Sequence, residues 1–301
     1  MSVAVVTDST AHLPEGFAER HAVRVVPLHV LVDGVVSLDG VETGPAAVAE
    51  AMKQRKIVTT SRPTPTEFAE EYRAAFADGA EAIVSVHLSR ELSGTWEAAV
   101  LAAQEVGPDR VRVVDSRTTA MGLGFAALHA ASAASAGAAA AEVEAAAVTA
   151  AGCSSTLFVV ETLDHLRRGG RIGPAAALLG TALAVKPVLH MSDGRILPLE
   201  KVRTMNRAIA RLVELAAAAA KDDDVELAVH HLASPERAVE LANRLEEAVP
   251  RSAGCVVSEL GAVIGAHTGP GVLGVVVQRT VAPGRRRAEP SSMPPGYDEN
   301  G

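Results

Sequence analysis

Hydroxyl groups collect in this sequence where apolar, β-branched runs stop. Val3–Val6 runs into Thr7-Asp8-Ser9-Thr10, and Ile57-Val58 into Thr59-Thr60-Ser61. Ile83–Val86 is followed by Leu92-Ser93-Gly94-Thr95, and Val113-Val114 by Asp115-Ser116-Arg117-Thr118-Thr119. Ligands in open α/β sheets settle at the carboxyl ends of strands, and a helix N-terminus offers unpaired N–H groups to an anion. Thr60, Ser61, Ser93 and the Gly94 and Thr95 amides are therefore candidate neutral donors to an acid group. Two later stretches add Arg171, in the loop Gly169-Gly170-Arg171-Ile172-Gly173, and His267, in Gly265-Ala266-His267-Thr268-Gly269-Pro270-Gly271.

Each of these residues also has a plainer reading. Serine before a helix is a favoured N-cap worth about 1 kcal/mol, which would account for Ser93. Asp8 and Asp115 suit turns and caps as well as a ligand site. Thr64 has a structural task, since Glu67 three residues on and Pro65 at the first helical position complete a capping box. Thr60 and Ser61 have none so evident, because Pro63 keeps Arg62 extended and leaves them outside the helix. Arg171 alone reads as a solvated surface residue, and His267 alone as a hydrogen-bonded structural histidine.

Ser93 with His267 and Asp8 or Asp115 would be the reagents of a serine hydrolase. Glu91-Leu92-Ser93-Gly94-Thr95 lacks the GxSxG elbow, so this stands as the alternative reading. A phosphate loop in Gly169–Gly173 fails because GxxxxGK[ST] is absent and Lys186 is distant. Gly122 and Gly124 fall short of the dinucleotide GxGxxG.

The elements that must place these groups follow from periodicity. Strands are predicted over Val3–Val6, Val23–Val32 (with Pro27 demanding an edge or a bend), Ile83 onward and Arg110–Val114. Helices are predicted from Leu13, over Gly44–Lys53, after Thr64 and after Ser93. This alternation gives an N-terminal Rossmann-like parallel sheet with flanking helices over residues 1–155. The alanine-rich run Phe125–Gly152 carries His129, Glu142 and Glu144, so it reads as one or two soluble helices rather than a membrane span.

Past residue 155 the rhythm changes. Strands are expected over Thr156–Val160, Ala184–His190, Arg195–Leu199, Val225–His230, Cys255–Glu259 and Val272–Val277. Helices are expected over Thr162–Arg168, Arg207–Lys221 and Pro235–Ala248, with a hairpin at Ser192-Asp193-Gly194. The expectation is a smaller C-terminal α/β (α+β) domain with a mixed sheet over residues 156–281. Residues 282–301 read as a disordered tail.

Composition narrows the function. The chain has 301 residues, 48% hydrophobic and 21% charged, which suits two globular domains. A net charge of −8 gives no field for nucleic acid. Cys153 and Cys255 show neither disulfide nor zinc spacing, and no signal-peptide pattern opens the chain, so a cytoplasmic protein without a metal is expected. Aromatic residues are only 3%, too few to stack flat rings, whereas aliphatic residues abound and suit a tunnel.

Taken together, VTDSTAHLP (Val6–Pro14), VVPLHV (Val25–Val30), TSRPTP (Thr60–Pro65), HLSRELSGTWEAA (His87–Ala99) and VVDSRTTAMGLG (Val113–Gly124) resemble the DegV family. ETLDHLRRGGRIG (Glu161–Gly173), KPVL (Lys186–Leu189) and IGAHTGPGVLGVVV (Ile264–Val277) continue the same order. The family includes the lipid-binding subunits of bacterial fatty acid kinase. The resemblance implies one long-chain fatty acid between two domains, its carboxylate meeting Thr60, Ser61 and Ser93, with Arg171 and His267 nearby. It also implies a protein that is not itself catalytic, binds no other cofactor, presents its lipid to a partner fatty acid kinase and touches membranes at most transiently. Arg62 and Thr64 depart from the family's usual TSQPS, which places an extra cation near the entrance.

Overall fold

The computed structural model describes residues 2–178 and 185–280, so the expected tail at 282–301 and Ala184 lie outside the described residues. The first half runs β1 (Val3–Asp8), α1 (Phe17–Arg20), β2 (Val23–Val26), β3 (His29–Val32), β4 (Val35–Leu38), α2 (Pro45–Lys53) and β5 (Val58–Ser61). It continues with α3 (Pro65–Ala77), β6 (Ala82–His87), α4 (Thr95–Val106), β7 (Val111–Asp115), α5 (Met121–Ser135) and α6 (Ala140–Cys153). The second half begins with β8 (Ser154–Val159), α7 (Asp164–Arg168), β9 (Lys186–Ser192), β10 (Arg195–Val202) and α8 (Met205–Ala220). It ends with β11 (Val225–His231), α9 (Pro235–Ala248), β12 (Ser252–Glu259), α10 (Ala262–Thr268) and β13 (Leu273–Arg279).

Among the described residues the strands form three sheets. The first, in the order β2-β1-β6-β7, is wholly parallel. Every residue of β6 is buried because helices cover both faces, as a parallel sheet requires. Phe68 and Tyr72 of α3 and Ala98 and Ala102 of α4 fill one side, and Leu123, Ala127, Val143 and Ala147 of α5 and α6 the other. The alanine-rich run is thus two helices, and its small side chains bring them close against the sheet.

Pro27 corrects one expectation. Val23–Val32 is not one bent strand but two strands in different sheets: β2 pairs with β1, whereas β3 joins an antiparallel sheet of order β4-β3-β5. Proline has no N–H for the ladder, so the chain leaves the first sheet there. The third sheet, β10-β9-β8-β13-β11-β12, is mixed: only β11 and β12 run parallel. The chain is thus an α/β protein of two domains, one built on a parallel sheet and one on a mixed sheet.

Alternate residues of the mixed sheet face opposite ways. Leu157, Val159, Leu227, Val229, Val275 and Val277 pack beneath α8 and α9. Phe158, Val160, Ala228 and Val276 face the N-terminal half, where Ala228 and Val276 meet Met121 and Phe125 of α5. The helix α10, absent from the periodicity reading, lies on the small sheet, with Ala262, Val263 and Ala266 against Leu28, Val30 and Val48. Thus a C-terminal helix completes a core begun by β3 and α2. Among the described residues no helix is long and apolar enough to cross a membrane.

Candidate functional site

Between the inner face of the mixed sheet and the strand ends of the N-terminal half lies a cavity of about 920 Å³, part of it open to solvent. Leu28, Leu88, Leu92, Phe158, Leu166 and Ile264 are among its walls, and no acidic residue is among the described residues that line it. Its polar groups include Thr60, Ser61, Arg62, Ser93, Arg171 and His267.

Thr60 sits on β5 and His267 in the last turn of α10, and their side chains meet, Oγ1 to Nε2, at 2.8 Å. Burial, helped by the charge of Arg171, lowers the His267 pKa to about 4, so the ring is neutral near pH 7. Its Nδ1 is buried without a partner and lies over Gly169, where an added Cβ would stand 2.1 Å from it. Arg171 is half-buried rather than fully solvated. It donates from Nε to the Leu92 carbonyl at 2.9 Å and from Nη1 to that of Gly169 at 2.5 Å, which ties the glycine-rich loop to the loop bearing Ser93.

Ser93 is not a cap. The N-cap of α4 is Gly94, which makes no side-chain capping bond, and Ser93 Oγ lies 2.9 Å from Thr95 Oγ1. Two acids, the buried Asp8 and the partly exposed Asp115, hold this loop from behind. Asp8 accepts from Thr10 N and Oγ1 through Oδ1 and from Leu88 N through Oδ2, which also meets His87 Nδ1. Asp115 accepts from the Arg90 and Arg117 amides. Both are supports, so the triad is not assembled: Ser93 pairs with Thr95, His267 with Thr60 and Asp8 with His87. Thr64 and Glu67 do form the capping box, with Pro65 in the first turn.

Of the seven residues singled out from sequence, Thr60, Ser61, Ser93, Arg171 and His267 line one cavity, and Gly94 and Thr95 do not. Thr95 is buried and orients Ser93. Gly94 makes room for Arg62: a Cβ there would lie 2.0 Å from Nη1, which donates to the Gly94 carbonyl at 3.4 Å. Thr60 and Ser61, adjacent on one strand, point to opposite faces, and Ser61 Oγ lies 3.4 Å from His29 Nδ1. A second cleft of about 1,350 Å³, also partly open to solvent, shares Thr60, Arg171 and His267 and adds Arg55, Lys56 and Arg168. The polar end of the cavity therefore borders a cationic opening.

Sequence reasoning missed Thr10, Thr119, Thr156 and His230, which also line the cavity. The alternation Thr156-x-Phe158 places both on one sheet face and was the available signal. Among the described residues no cluster of three or more His, Cys, Asp or Glu could hold a metal ion.

Two sheets thus enclose a cavity with mostly aliphatic walls, and with no acid among the described residues that line it, in a two-domain α/β protein. The chain belongs to the DegV family: the family's sequence model, described as "Uncharacterised protein, DegV family", matches residues 2–280. It is 56% identical over 275 residues to a DegV domain-containing protein of Streptomyces coelicolor, covering 91% of this chain and 98% of that one. A fatty-acid-binding DegV family protein of Thermus thermophilus superposes with a TM-score of 0.89 at 35% identity, over 93% of this chain and all (100%) of that one. DegV of Bacillus subtilis, a fatty acid binding protein, superposes at 0.84 with 33% identity over the same shares, 93% and 100%.

Proposed function

We propose that this chain binds one long-chain fatty acid in the cavity between its two domains, with the carboxylate at Thr60, Ser93, Arg171 and His267 and the acyl chain along the mixed sheet. The observation that carries the reading is one continuous cavity with mostly aliphatic walls, whose polar lining groups are hydroxyls, neutral histidines and arginine, with no acid among the described residues that line it. An ionised carboxylate cannot be buried bare, and these donors match it. Burying sixteen carbons at about 0.8 kcal/mol each gives on the order of 12 kcal/mol, set against association costs of roughly 4–15 kcal/mol, which suits a carrier that must release its cargo. The fatty-acid-binding relatives support the same reading.

The carboxylate would border the opening lined by Arg55, Lys56 and Arg168. A carrier whose own residues make no catalytic triad presents that carboxylate to a partner, and the family resemblance points to a fatty acid kinase that forms the acyl phosphate. Titration calorimetry of delipidated protein with hexadecanoic acid checks the first part: saturation at one equivalent supports it, and no heat or uptake at any ratio contradicts it. Acyl phosphate formed by a kinase plus ATP only when this protein is added checks the second.

A further inference from the structure

The head end of the site carries more positive charge than one carboxylate neutralises. Arg62 and Arg171 line the aliphatic cavity and bracket Ser93, donating to the Gly94 and Leu92 carbonyls on either side of it. Thr60, Arg171 and His267 also line the second cleft, so the two hollows adjoin at these residues. Beyond them the cleft adds Arg55, Lys56 and Arg168, all three exposed, and His165, whose Nδ1 accepts from Arg168 Nη2 at 2.9 Å.

No acid is among the described residues that line either hollow, and among the described residues none of these five cations makes an ion pair. Elsewhere on the chain Arg24, Arg112, Arg195, Arg211 and Arg251 each face a carboxylate. In a chain of net charge −8 one concave region is thus left positive, where it focuses the field on an incoming anion. Helix ends give the cations a plainer task, since α2, α7 and α10 all finish at the cleft. Each helix C-terminus carries about half a negative charge, so three of them fall well short of the four full charges on Arg55, Lys56, Arg168 and Arg171. A fatty acid adds a single charge at the inner end, and a surplus remains in the outer cleft.

Building on the lipid-binding reading above, we propose that the cleft is a phosphate subsite continuous with the carboxylate site, and that the two together hold an acyl phosphate. Its carbonyl end lies with Thr60, Ser93 and Arg171, and its phosphate lies outward among Arg55, Lys56 and Arg168. A phosphate group brings about 1.5 to 2 negative charges near pH 7 and accepts from several donors at once, which matches the surplus. The carrier then holds the phosphorylated lipid more tightly than the fatty acid.

The probe is 2-oxoheptadecylphosphonate, in which a methylene replaces the bridging oxygen of hexadecanoyl phosphate so that the head is not hydrolysed. Delipidated wild type, Arg168→Gln and the double variant Arg55→Gln, Lys56→Gln, each checked for folding by thermal unfolding, are titrated with this probe and with hexadecanoic acid. Wild type should bind the phosphonate about tenfold tighter than the acid, the worth of one added charge-assisted hydrogen bond, and the gain should shrink as salt is raised. The double variant should lose the gain and keep its affinity for hexadecanoic acid, and Arg168→Gln should lose part of it. Equal affinities for the two heads in wild type, or a gain that survives in the double variant, overturn the proposal while leaving fatty-acid binding intact. A double variant that loses hexadecanoic acid and phosphonate equally assigns the cations to the carboxylate and overturns it too. Inorganic phosphate titrated into the hexadecanoic acid complex should give no saturable heat; saturation at one equivalent would assign the cleft to a free anion instead. Wild type that binds neither lipid overturns the lipid reading and this inference with it.

Discussion

A hydroxyl ahead of a helix either caps it or faces a ligand, and its partners separate the two at Ser93. Because Gly94 holds the cap position and Ser93 meets only Thr95, Ser93→Ala should leave thermal stability within about 0.5 kcal/mol of wild type. The same variant should weaken fatty-acid binding about tenfold by calorimetry, the loss of one donor. Thr64→Ala should do the reverse. It removes a capping box whose threonine is not among the described residues that line the cavity, so urea unfolding should show a loss of about 1 kcal/mol with unchanged affinity. Gly169 supplies a third contrast: its helical φ of −75° admits alanine, but the methyl would fall 2.1 Å from His267 Nδ1. Gly169→Ala should push the ring off Thr60 and reduce affinity, measured by the same titration, without unfolding the chain.

The polar end is assembled by elements of unequal legibility. β1 and β6 are largely buried and read as short, mainly β-branched runs, and β7 keeps Val111, Val113 and Val114 around an exposed Arg112, so the parallel sheet could be seen in the sequence. The hydroxyls at their ends could be seen as well, because they interrupt those runs. The small sheet could not, since β3, β4 and β5 are four residues each and acquire their partners only after Pro27 turns the chain away. Nor could α10: Ala262–Thr268 is seven residues long, includes Gly265 and has no polar face, so its contacts with α2 and β5 define it more than its own pattern does. Asp39 fixes its start, accepting the Ala262 amide at 2.8 Å through Oδ1 and the Ser9 hydroxyl at 2.9 Å through Oδ2. Asp39→Ala should cost about 1–3 kcal/mol in urea unfolding by leaving both donors without that acceptor. Because His267 rides on α10, affinity for fatty acid should fall with it. A variant as stable as wild type would mean that the helix is held by its apolar contacts alone.

Three histidines, His12, His230 and His267, are buried neutral groups, and they shape the molecule's response to acid. Burial lowers the pKa of His12 to about 4, of His230 to about 3 and of His267 to about 4, from 6.5. Between pH 6.5 and those values the unfolded chain binds protons that the folded chain refuses, so their stabilising effect is complete above pH 6.5 and is lost as pH falls. Asp39 opposes this, because burial raises its carboxyl above 3.8 and the folded state keeps that proton more readily as pH drops. Burial lowers His165, His190 and His231 in the same direction, and the Glu67 and Glu200 carboxyls, held low by hydrogen bonds, also lose their contribution as pH falls. With these groups set against the one aspartate, the urea midpoint should fall from pH 7.5 to 4.5; a flat profile would mean that the rings are not buried neutral. Lipid in the cavity would add to stability by an amount that grows with the logarithm of its concentration above the Kd. Mass spectrometry of solvent extracts from protein purified without added lipid therefore bears on the reading more than any variant does. Close to one long-chain fatty acid per chain is the outcome foreseen; repeated preparations that hold no fatty acid and take up none when it is offered would refute it.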